Sequence, residues 1–563
     1  MSTRPSTLGA LRASGWASTS IKDEVRRNAV ARIAAGRPVV DGVLGFDDTV
    51  LPALENALLA GHDVIFLGER GQAKTRVIRS LTALLDEWLP IVAGSEINDD
   101  PYRPVSRHAR DLVAAEGEDT PITWVGRDQR FGEKLATPDT SVADLIGEVD
   151  PIRVAEGRYL SDELTLHYGL VPRTNRGIFA INELPDLAER IQVALLNVLE
   201  ERDIQIRGHK IRLPLDVMLV ASANPEDYTN RGRIITPLKD RFGAQVRTHY
   251  PRDIPTELAV VAQEAAPLAV SGLAVSVPSY MSEIVATLSQ LARVDPAVNQ
   301  RSGVSVRLTI ANHETMVASA ARRALRCGEP EVVPRISDLP AMRASTAGKV
   351  EIEMLDEGRD SEVLDRLVSA AVLATFRGRL APDQLGAALA CFDEGTVVRV
   401  SAELASATYV EALAAVPALA GVVRAVLAAE PIPAAEPTPA PAAADPTPTP
   451  APAEPPPAPA AAPTPAALAS ATELVLEGLH LSRRLNKSVS PGGAGGAGQA
   501  VYRARDRGAS SEEAGRGRGR GSQPGRGLGD GGPGRREPGD GGPGRRDPGG
   551  GGPGRRDPGG GRD

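Results

Sequence analysis

The sequence predicts an α/β fold in which helices cover both faces of a parallel sheet, followed by an all-helical lid domain and a disordered C-terminal tail. Up to about residue 253, short apolar runs suited to buried strands alternate with amphipathic helical stretches. Beyond that point the helical spacing continues alone. After about residue 430 the chain consists largely of Ala/Pro and Gly/Arg runs, which cannot bury a core.

Four apolar runs are the predicted strands of the sheet. They are His62–Leu67, Ile122–Val125, Gly177–Ile181 and Asp216–Ala221. The segments between them have helical spacing, and parallel strands need such crossovers. These runs therefore predict a sheet sandwiched between helices.

Changes of pattern give the predicted domain boundaries. The segments are an N-terminal segment (1–36), the α/β core (37–253), the helical lid (254–344), a helical extension without a motif (345–430), an Ala/Pro linker (431–465), a short helix (466–487) and a disordered Gly/Arg-rich repeat tail (488–563).

Cysteine content and hydropathy argue against a secreted or membrane-spanning protein. The chain has two cysteines, Cys327 and Cys391, and neither lies in a CxxC pair. No stretch of about 18 residues lacks a charge or a helix breaker. We therefore expect a cytoplasmic protein without a membrane segment.

A phosphate-binding loop is predicted between the first strand and the helix that follows it. Its residues are Gly68, Glu69, Arg70, Gly71, Gln72, Ala73, Lys74 and Thr75. In this setting the backbone N–H groups cradle the phosphates of ATP, Lys74 reaches the β- and γ-oxygens, and Thr75 ligates Mg²⁺. Ala73 replaces a glycine of the pattern, which we expect to be tolerated only at negative φ. An ordinary strand-to-helix turn is the alternative.

The run ending in Asn182 and Glu183 is typical of a Walker B strand. An aspartate usually supports Mg²⁺ there, and a glutamate polarises the attacking water. Asn182 keeps a carbonyl for a metal-bound water but loses the charge, so we expect weaker Mg²⁺ binding. Glu183 favours hydrolysis over nucleotide sensing alone.

Two further polar residues complete the predicted catalytic set. Asn224 follows the strand Val217–Ala221 and is placed to hold the water, although an asparagine that opens a turn before Pro225 is the alternative. Arg241 ends a helical stretch. In a ring it would point into the neighbouring subunit's site and neutralise charge on the transferred phosphoryl group.

The order of these elements resembles the AAA+ ATPases of the magnesium-chelatase I-subunit and MoxR type, over about residues 38–340. The stretches that carry the resemblance are DLIGEVD (144–150), GLVP (169–172) leading into RGIF (176–179), LLNVLEERD (195–203), NPE (224–226) and DRF (240–242). The resemblance implies a helix-2 insert at Pro151–His167, a hairpin at Ile204–Leu213 and a second sensor arginine, Arg307, in the lid. Ala73, Asn182, the long stretch before Gly147 and the C-terminal third depart from it.

By this resemblance, the chain is an ATP-hydrolysing ring motor, expected to be a hexamer, that acts as a chaperone on a partner with a von Willebrand A domain. The alternative is the motor subunit of a magnesium or cobalt chelatase.

Two other functions are weighed on sequence. Enhancer-binding transcription activators share part of the Walker B stretch, but they carry a GAFTGA loop and a helix-turn-helix that are not found here. A nucleotide-binding scaffold with an RNA-binding tail is favoured by Asn182 and disfavoured by Glu183 and Arg241. Residues 501–563 hold 14 Arg against 9 acidic residues, so the tail can contact nucleic acid weakly or act as a solubilising segment.

Overall fold

The computed structural model describes residues 4–150, 152, 165–201, 213–224, 233–300, 302–352, 360–430, 462–490 and 499–505. Its strands are β1 (Val64–Leu67), β2 (Trp88–Val92), β3 (Ile122–Gly126), β4 (Phe131–Leu135), β5 (Gly147–Val149), β6 (Leu166–Tyr168), β7 (Gly177–Asn182), β8 (Val217–Ala223), β9 (Ala244–Arg247), β10 (Ala274–Val275), β11 (Glu331–Val332), β12 (Val398–Val400), β13 (Leu485–Ser490) and β14 (Gln499–Ala504). Its α-helices are α1 (Leu8–Ala13), α2 (Ile21–Ala34), α3 (Val50–Leu59), α4 (Lys74–Ser80), α5 (Arg107–Glu116), α6 (Val142–Leu145), α7 (Leu170–Arg173), α8 (Glu189–Glu201), α9 (Thr236–Arg241), α10 (Ile254–Glu264), α11 (Ser279–Ala292), α12 (Val306–Cys327), α13 (Met342–Thr346), α14 (Asp360–Arg379), α15 (Gly386–Asp393), α16 (Ser406–Ala415), α17 (Pro417–Ala428) and α18 (Pro465–Leu481).

Five strands form a parallel sheet in the order β4-β7-β8-β1-β9. Strand β1 lies between β8 and β9, with Val64 opposite both Val220 and Ala244. Strand β7 connects β8 to β4. Strands that are neighbours in the chain are not all neighbours in the sheet, so the connecting segments cross over its faces. The predicted α/β fold, with helices on both faces of a parallel sheet, is confirmed.

Both faces of this sheet are buried, which explains the near-continuous apolar runs of its central strands. Ile65, Phe179 and Leu219 belong to one apolar cluster. Phe66 and Ala180, which point the opposite way along the same strands, belong to another that includes helix α4. Alternate residues of a strand face opposite sides, so each central strand contributes to two cores.

The prediction that Ile122–Val125 belongs to the parallel sheet is wrong. Strand β3 pairs antiparallel with β2 in a separate two-stranded unit. The places at the two edges of the main sheet are taken by β4 and β9, whose sequences FGEKL and AQVR carry charged and polar residues. Edge strands tolerate such residues, so the apolar-run criterion missed both.

The N-terminal segment packs onto the α/β core. Glu24 of α2 and Arg130, both buried, form a two-point ion pair with N–O distances of 2.8 and 2.6 Å. Leu8, the first residue of α1, donates its backbone N–H to the carbonyl oxygen of Thr120 at 2.9 Å. The long stretch before Gly147 therefore contains the β2–β3 pair and helix α5, against which the N-terminal residues lie.

The lid is mainly helical, with one departure from the all-helical prediction. Residues Ala274–Val275 pair in parallel with Glu331–Val332. The pair is two residues long on each side, too short to give a periodicity in the sequence. The α-helices of the lid are α10, α11, α12 and α13.

The C-terminal extension continues the lid's core. One apolar cluster extends from Tyr280 of α11 through Phe376 of α14 to Leu476 of α18 and Tyr502 of β14. We call this cluster the shared core. The hydroxyl of Tyr280 donates to Ser470 Oγ at 2.8 Å, which ties α11 to α18.

The prediction of disorder from residue 488 onward is wrong for its first part. Residues Leu485–Ser490 and Gln499–Ala504 form an antiparallel pair, which Val398–Val400 extends to a three-stranded sheet. Three strands thus lie where a helical extension, the end of a short helix and a disordered tail were expected. The local run QAVYRA contains the strand formers Val501 and Tyr502, which the Gly/Arg-rich composition of the tail obscured. Residues 431–461 and 506–563 lie outside the described residues.

Within the described part of the chain, no helix is both long and apolar enough to cross a bilayer. The apolar stretch near residue 416 is divided between α16 and α17.

Candidate nucleotide site

The loop after β1 has the geometry of a phosphate-binding loop. Lys74 begins helix α4 and is 7% exposed. Its Nζ donates to the backbone oxygens of Gly68 and, at 2.7 Å, of Glu69. It also donates to Asn224 Oδ1 at 2.7 Å. A buried ammonium is thereby held at the carboxyl edge of the sheet, where β1 and β8 end.

Two glycines of this loop are required by close contacts. A Cβ on Gly71, whose φ is +74°, would lie 1.8 Å from Ser305 Oγ. A Cβ on Gly68 would lie 2.0 Å from Thr248 Oγ1. The loop is thus packed against a lid residue on one side and the end of β9 on the other, which leaves no room for a side chain at Gly68 or Gly71.

Ala73 departs from the expectation for its backbone. Its φ is +56° and its ψ is +13°, in the left-handed region. The expectation of a negative φ is therefore wrong. The position needs the conformation that the usual glycine adopts freely, and alanine adopts it at a cost of about 1–2 kcal/mol.

At the end of β7, the predicted catalytic carboxylate Glu183 contacts Asn224, the residue predicted to hold the attacking water. The amide nitrogen of Asn224 donates to Glu183 Oε2. Glu183 also has a left-handed backbone, with φ of +56°, and its N–H donates to Ser222 Oγ at 3.3 Å. Lys74, Asn224 and Glu183 therefore form one hydrogen-bonded series along the carboxyl edge.

Asn182 is buried and is bonded at both ends of its amide. Nδ2 donates to Glu133 Oε1 at 2.6 Å, and Oδ1 accepts from Ser222 Oγ at 3.1 Å. Arg79 donates to the same carboxylate, with Nε 2.8 Å from Oε2. These hydrogen bonds with Glu133 raise the pKa of the Arg79 guanidinium. Sequence reasoning missed Glu133 because it lies on the unpredicted edge strand β4.

A cleft of about 570 Å³ lies over this edge. The predicted residues that line it are Arg70, Gly71, Gln72, Ala73, Lys74, Thr75, Glu183, Asn224 and Arg307. Arg307 enters from the first turn of α12, one residue into the helix. Asp186, beyond Glu183, lines the cleft as well. The structure thus brings together the loop, the water-activating carboxylate, one sensor asparagine and the lid arginine.

Four predicted residues do not line this cleft: Gly68, Glu69, Asn182 and Arg241. The backbone oxygens of Gly68 and Glu69 accept hydrogen bonds from Lys74 as described. Asn182 is held by Ser222 and Glu133 as described. Arg241 is the last residue of α9 and is exposed. An exposed arginine at a helix end is compatible with a role in a neighbouring subunit's site.

The cleft is suited to a magnesium ion bound together with a nucleotide. Thr75, Glu183 and Asp186 present oxygen atoms to it, and Mg²⁺ prefers oxygen ligands, typically one or two from the protein with the others from phosphates and water. Among the described residues, no group of three His, Cys, Asp or Glu side chains converges to hold a metal by itself. The donor set therefore fits Mg²⁺ shared with phosphates.

Two elements implied by the resemblance fall largely outside the described residues. The hairpin at Ile204–Leu213 is described only at its last residue. Of the insert at Pro151–His167, the structure describes residue 152 and residues 165–167, where β6 pairs antiparallel with β5.

Comparison with known proteins gives two kinds of match. The Sigma-54 interaction domain family matches residues 156–241. The 38 kDa subunit of magnesium chelatase from Cereibacter sphaeroides is 30% identical over 215 residues, which are 36% of this chain and 56% of that protein. The same subunit from Rhodobacter capsulatus is 30% identical over 254 residues, 41% of this chain and 64% of that protein. Magnesium-chelatase subunit ChlI from a Nostoc species is 28% identical over 242 residues, 41% of this chain and 60% of that protein.

The matched part of the chain spans between about half and two thirds of the length of these relatives. The sheet order, the loop before α4 and the polar series at the carboxyl edge agree with the resemblance that the sequence motifs carry. Over the matched residues, the chain is similar to the AAA+ ATPases of the magnesium-chelatase I-subunit type.

Proposed function

We propose that this chain is an ATP-hydrolysing ring motor of the MoxR and magnesium-chelatase I type, which remodels a partner protein or assists its maturation in the cytoplasm. The observation that carries the proposal is the series Lys74, Asn224 and Glu183 at one edge of the sheet. A cation for phosphates, a sensor amide and a carboxylate are the groups that ATP hydrolysis needs.

The loop from Gly68 to Thr75 would hold the phosphates of ATP. Its backbone N–H groups and the N-terminus of α4 are placed for anions. Lys74 would move from its bonds with the loop carbonyls to the β- and γ-oxygens. The Thr75 hydroxyl, which lines the cleft, would be a ligand of Mg²⁺.

Glu183 would take the role of general base toward the attacking water. Asn224 contacts its carboxylate and is placed to orient that water. Bound Mg²⁺ would neutralise charge on the transferred phosphoryl group. Arg307 from the lid would contact the phosphates from the opposite side of the cleft, so that lid position and nucleotide state are coupled.

Arg241 would complete the site of a neighbouring subunit. It is exposed and lies outside the cleft of its own chain. A trans role requires a closed ring, and we propose a hexamer.

The nature of the client separates two versions of the proposal. The first is a chaperone-like motor whose partner carries a von Willebrand A domain. The second is the motor subunit of a magnesium or cobalt chelatase, which is supported by the names of the matched relatives. The Arg-rich tail would add at most a weak contact with nucleic acid. An activator role is disfavoured, because no GAFTGA sequence occurs in the chain.

The test is an ATPase assay on the full chain and on Glu183→Gln. We expect the variant to bind ATP and to hydrolyse it roughly 10²–10⁴-fold more slowly, as for loss of a general base. Glu87→Gln, a change at an exposed glutamate outside the cleft, is the matched control and should keep normal turnover. Normal turnover by Glu183→Gln would refute the assignment. Adding a von Willebrand A protein, or a tetrapyrrole with chelatase partner subunits, then separates the two versions.

A further inference from the structure

The two partners of Asn182 fix the orientation of its amide. Nδ2 lies 2.6 Å from Glu133 Oε1, and Oδ1 lies 3.1 Å from Ser222 Oγ. An ionised carboxylate accepts hydrogen bonds and cannot donate them, so the amide nitrogen must face Glu133. The amide oxygen then faces Ser222.

Glu133 reaches Asn182 across the face of the sheet that the phosphate-loop helix covers. It is opposite Ala180 in register, two residues before Asn182, so both side chains project to one face. Ala180 belongs to the same apolar cluster as Val77 of α4. The contact therefore lies under α4, the helix whose first turn ends the phosphate-binding loop.

Arg79 links the same carboxylate to α4. Its Nε and Nη2 donate to Glu133 at 2.8 and 3.1 Å. Arg79 is four residues beyond Thr75, so the two lie on one side of the helix, one turn apart. Glu133 is thus bound one turn from the residue proposed to ligate Mg²⁺.

We propose that Glu133 is the positioning residue of Asn182 and carries the negative charge that an aspartate usually carries at the end of a Walker B strand. The inference rests on the proposed ATPase function. The charge is placed on the neighbouring strand, and the amide of Asn182 links it to Ser222, whose hydroxyl also accepts from the Glu183 N–H.

The contact with Glu133 explains why position 182 carries an amide and not the usual carboxylate. An aspartate there would place two carboxylates at the 2.6 Å contact that the amide now makes with Glu133. Like charges at that distance repel. An amide at 182 and a carboxylate at 133 form a hydrogen bond instead.

The test exchanges the charge between the two positions. It compares the parent with Asn182→Asp, Glu133→Gln and the double variant, all as full-length chains. The first readout is the melting temperature without nucleotide and with the divalent ions chelated. We expect Asn182→Asp to lower it by several degrees, and the double variant to recover most of that loss because the introduced glutamine can donate to the introduced aspartate.

The second readout is the Mg²⁺ concentration that gives half-maximal binding of a fluorescent ATP analogue. We expect Glu133→Gln to raise it roughly 10-fold or more, as for loss of a group that orients a metal ligand. The double variant should return toward the parent. Glu87→Gln, which removes an exposed carboxylate elsewhere, should change neither readout.

A double variant no more stable than Asn182→Asp, or an unchanged Mg²⁺ curve for Glu133→Gln, would overturn the inference. Both readouts are independent of turnover. If the parent hydrolyses ATP and the coupling is absent, this inference fails alone. If the parent binds ATP without hydrolysing it and the coupling persists, the proposed function fails and the Glu133–Asn182 pairing stands.

Discussion

The nucleotide cleft and the shared core of the lid and the extension are stabilised in different ways. Along the cleft, buried Lys74 and Asn224 are held by hydrogen bonds, and Ala73 and Glu183 have left-handed backbones. In the shared core, residues such as Leu476 of α18 are fully buried among apolar side chains. The cleft thus holds strained and polar groups in place, whereas the shared core joins the extension to the lid through a continuous apolar cluster. Strain of this kind persists where surrounding structure over-determines it.

The largest effect on ATP hydrolysis is expected from Arg241, the residue proposed to complete the cleft of a neighbouring subunit. Arg241→Ala should reduce hydrolysis by roughly 10³–10⁵-fold, the range for loss of a trans arginine in GTPases, and should leave nucleotide affinity largely intact. Lys74→Ala should lose nucleotide binding, because its ammonium is the cation at the loop. Mixing the two inactive variants should restore some hydrolysis, since a Lys74 variant still donates Arg241 to its neighbour.

The control for this experiment is Arg252→Ala, an exposed arginine beyond the cleft, which should keep its activity. Absence of rescue at every mixing ratio would mean that Arg241 acts within its own subunit or has no catalytic role. The contrast between a cleft shared by subunits and a core confined to one chain would then be lost.

The same contrast explains how much the sequence could predict. Phosphate binding and hydrolysis need particular residue types at fixed spacing, so Lys74, Glu183 and Asn224 were found as motifs, and the structure brings them together. Glu133 belongs to no motif, because its role depends on which strand lies beside β7. Register and strand neighbours are set by tertiary packing.

The C-terminal part was predictable in its helices and not in its sheet. Helical spacing indicated the segment that forms α18, because a buried helical face imposes a period on the sequence. Strands β13 and β14 are short, polar on one face and embedded in Gly-rich composition. The pairing of β14 with β12, about 100 residues earlier in the chain, has no local signal.

An intermediate effect, on the free energy of unfolding, is expected from a substitution in the shared core. Leu476→Ala removes a fully buried side chain and should lower the free energy of unfolding by about 2–5 kcal/mol. The measurement is urea denaturation of the full chain. Val489→Ala, at a side chain that is 64% exposed, is the matched control and should change stability by less than about 0.5 kcal/mol. A cost for Leu476→Ala as small as that of the control would show that α18 does not contribute to the lid's core.

The smallest effect tests the strain in the phosphate loop. Alanine at a left-handed φ costs about 1–2 kcal/mol relative to its preferred conformations, and glycine has no such cost. Ala73→Gly removes that strain and adds roughly 0.5–1 kcal/mol of unfolded-state entropy. The net expectation is a gain in stability of up to about 1 kcal/mol, measured by urea denaturation without nucleotide.

The matched control, Ala31→Gly, should lower the stability that Ala73→Gly is expected to raise. Ala31 is exposed in the last turn of α2, so Ala31→Gly should destabilise the chain by up to about 1 kcal/mol. The two substitutions share the same chemistry and the same unfolded-state term, and they differ only in the backbone that the folded chain imposes. Opposite signs would therefore measure the left-handed strain at Ala73 directly. Equal losses at both positions would mean that Ala73 relaxes to a negative φ in solution, and the loop would then lack the strained geometry that separates the cleft from the shared core.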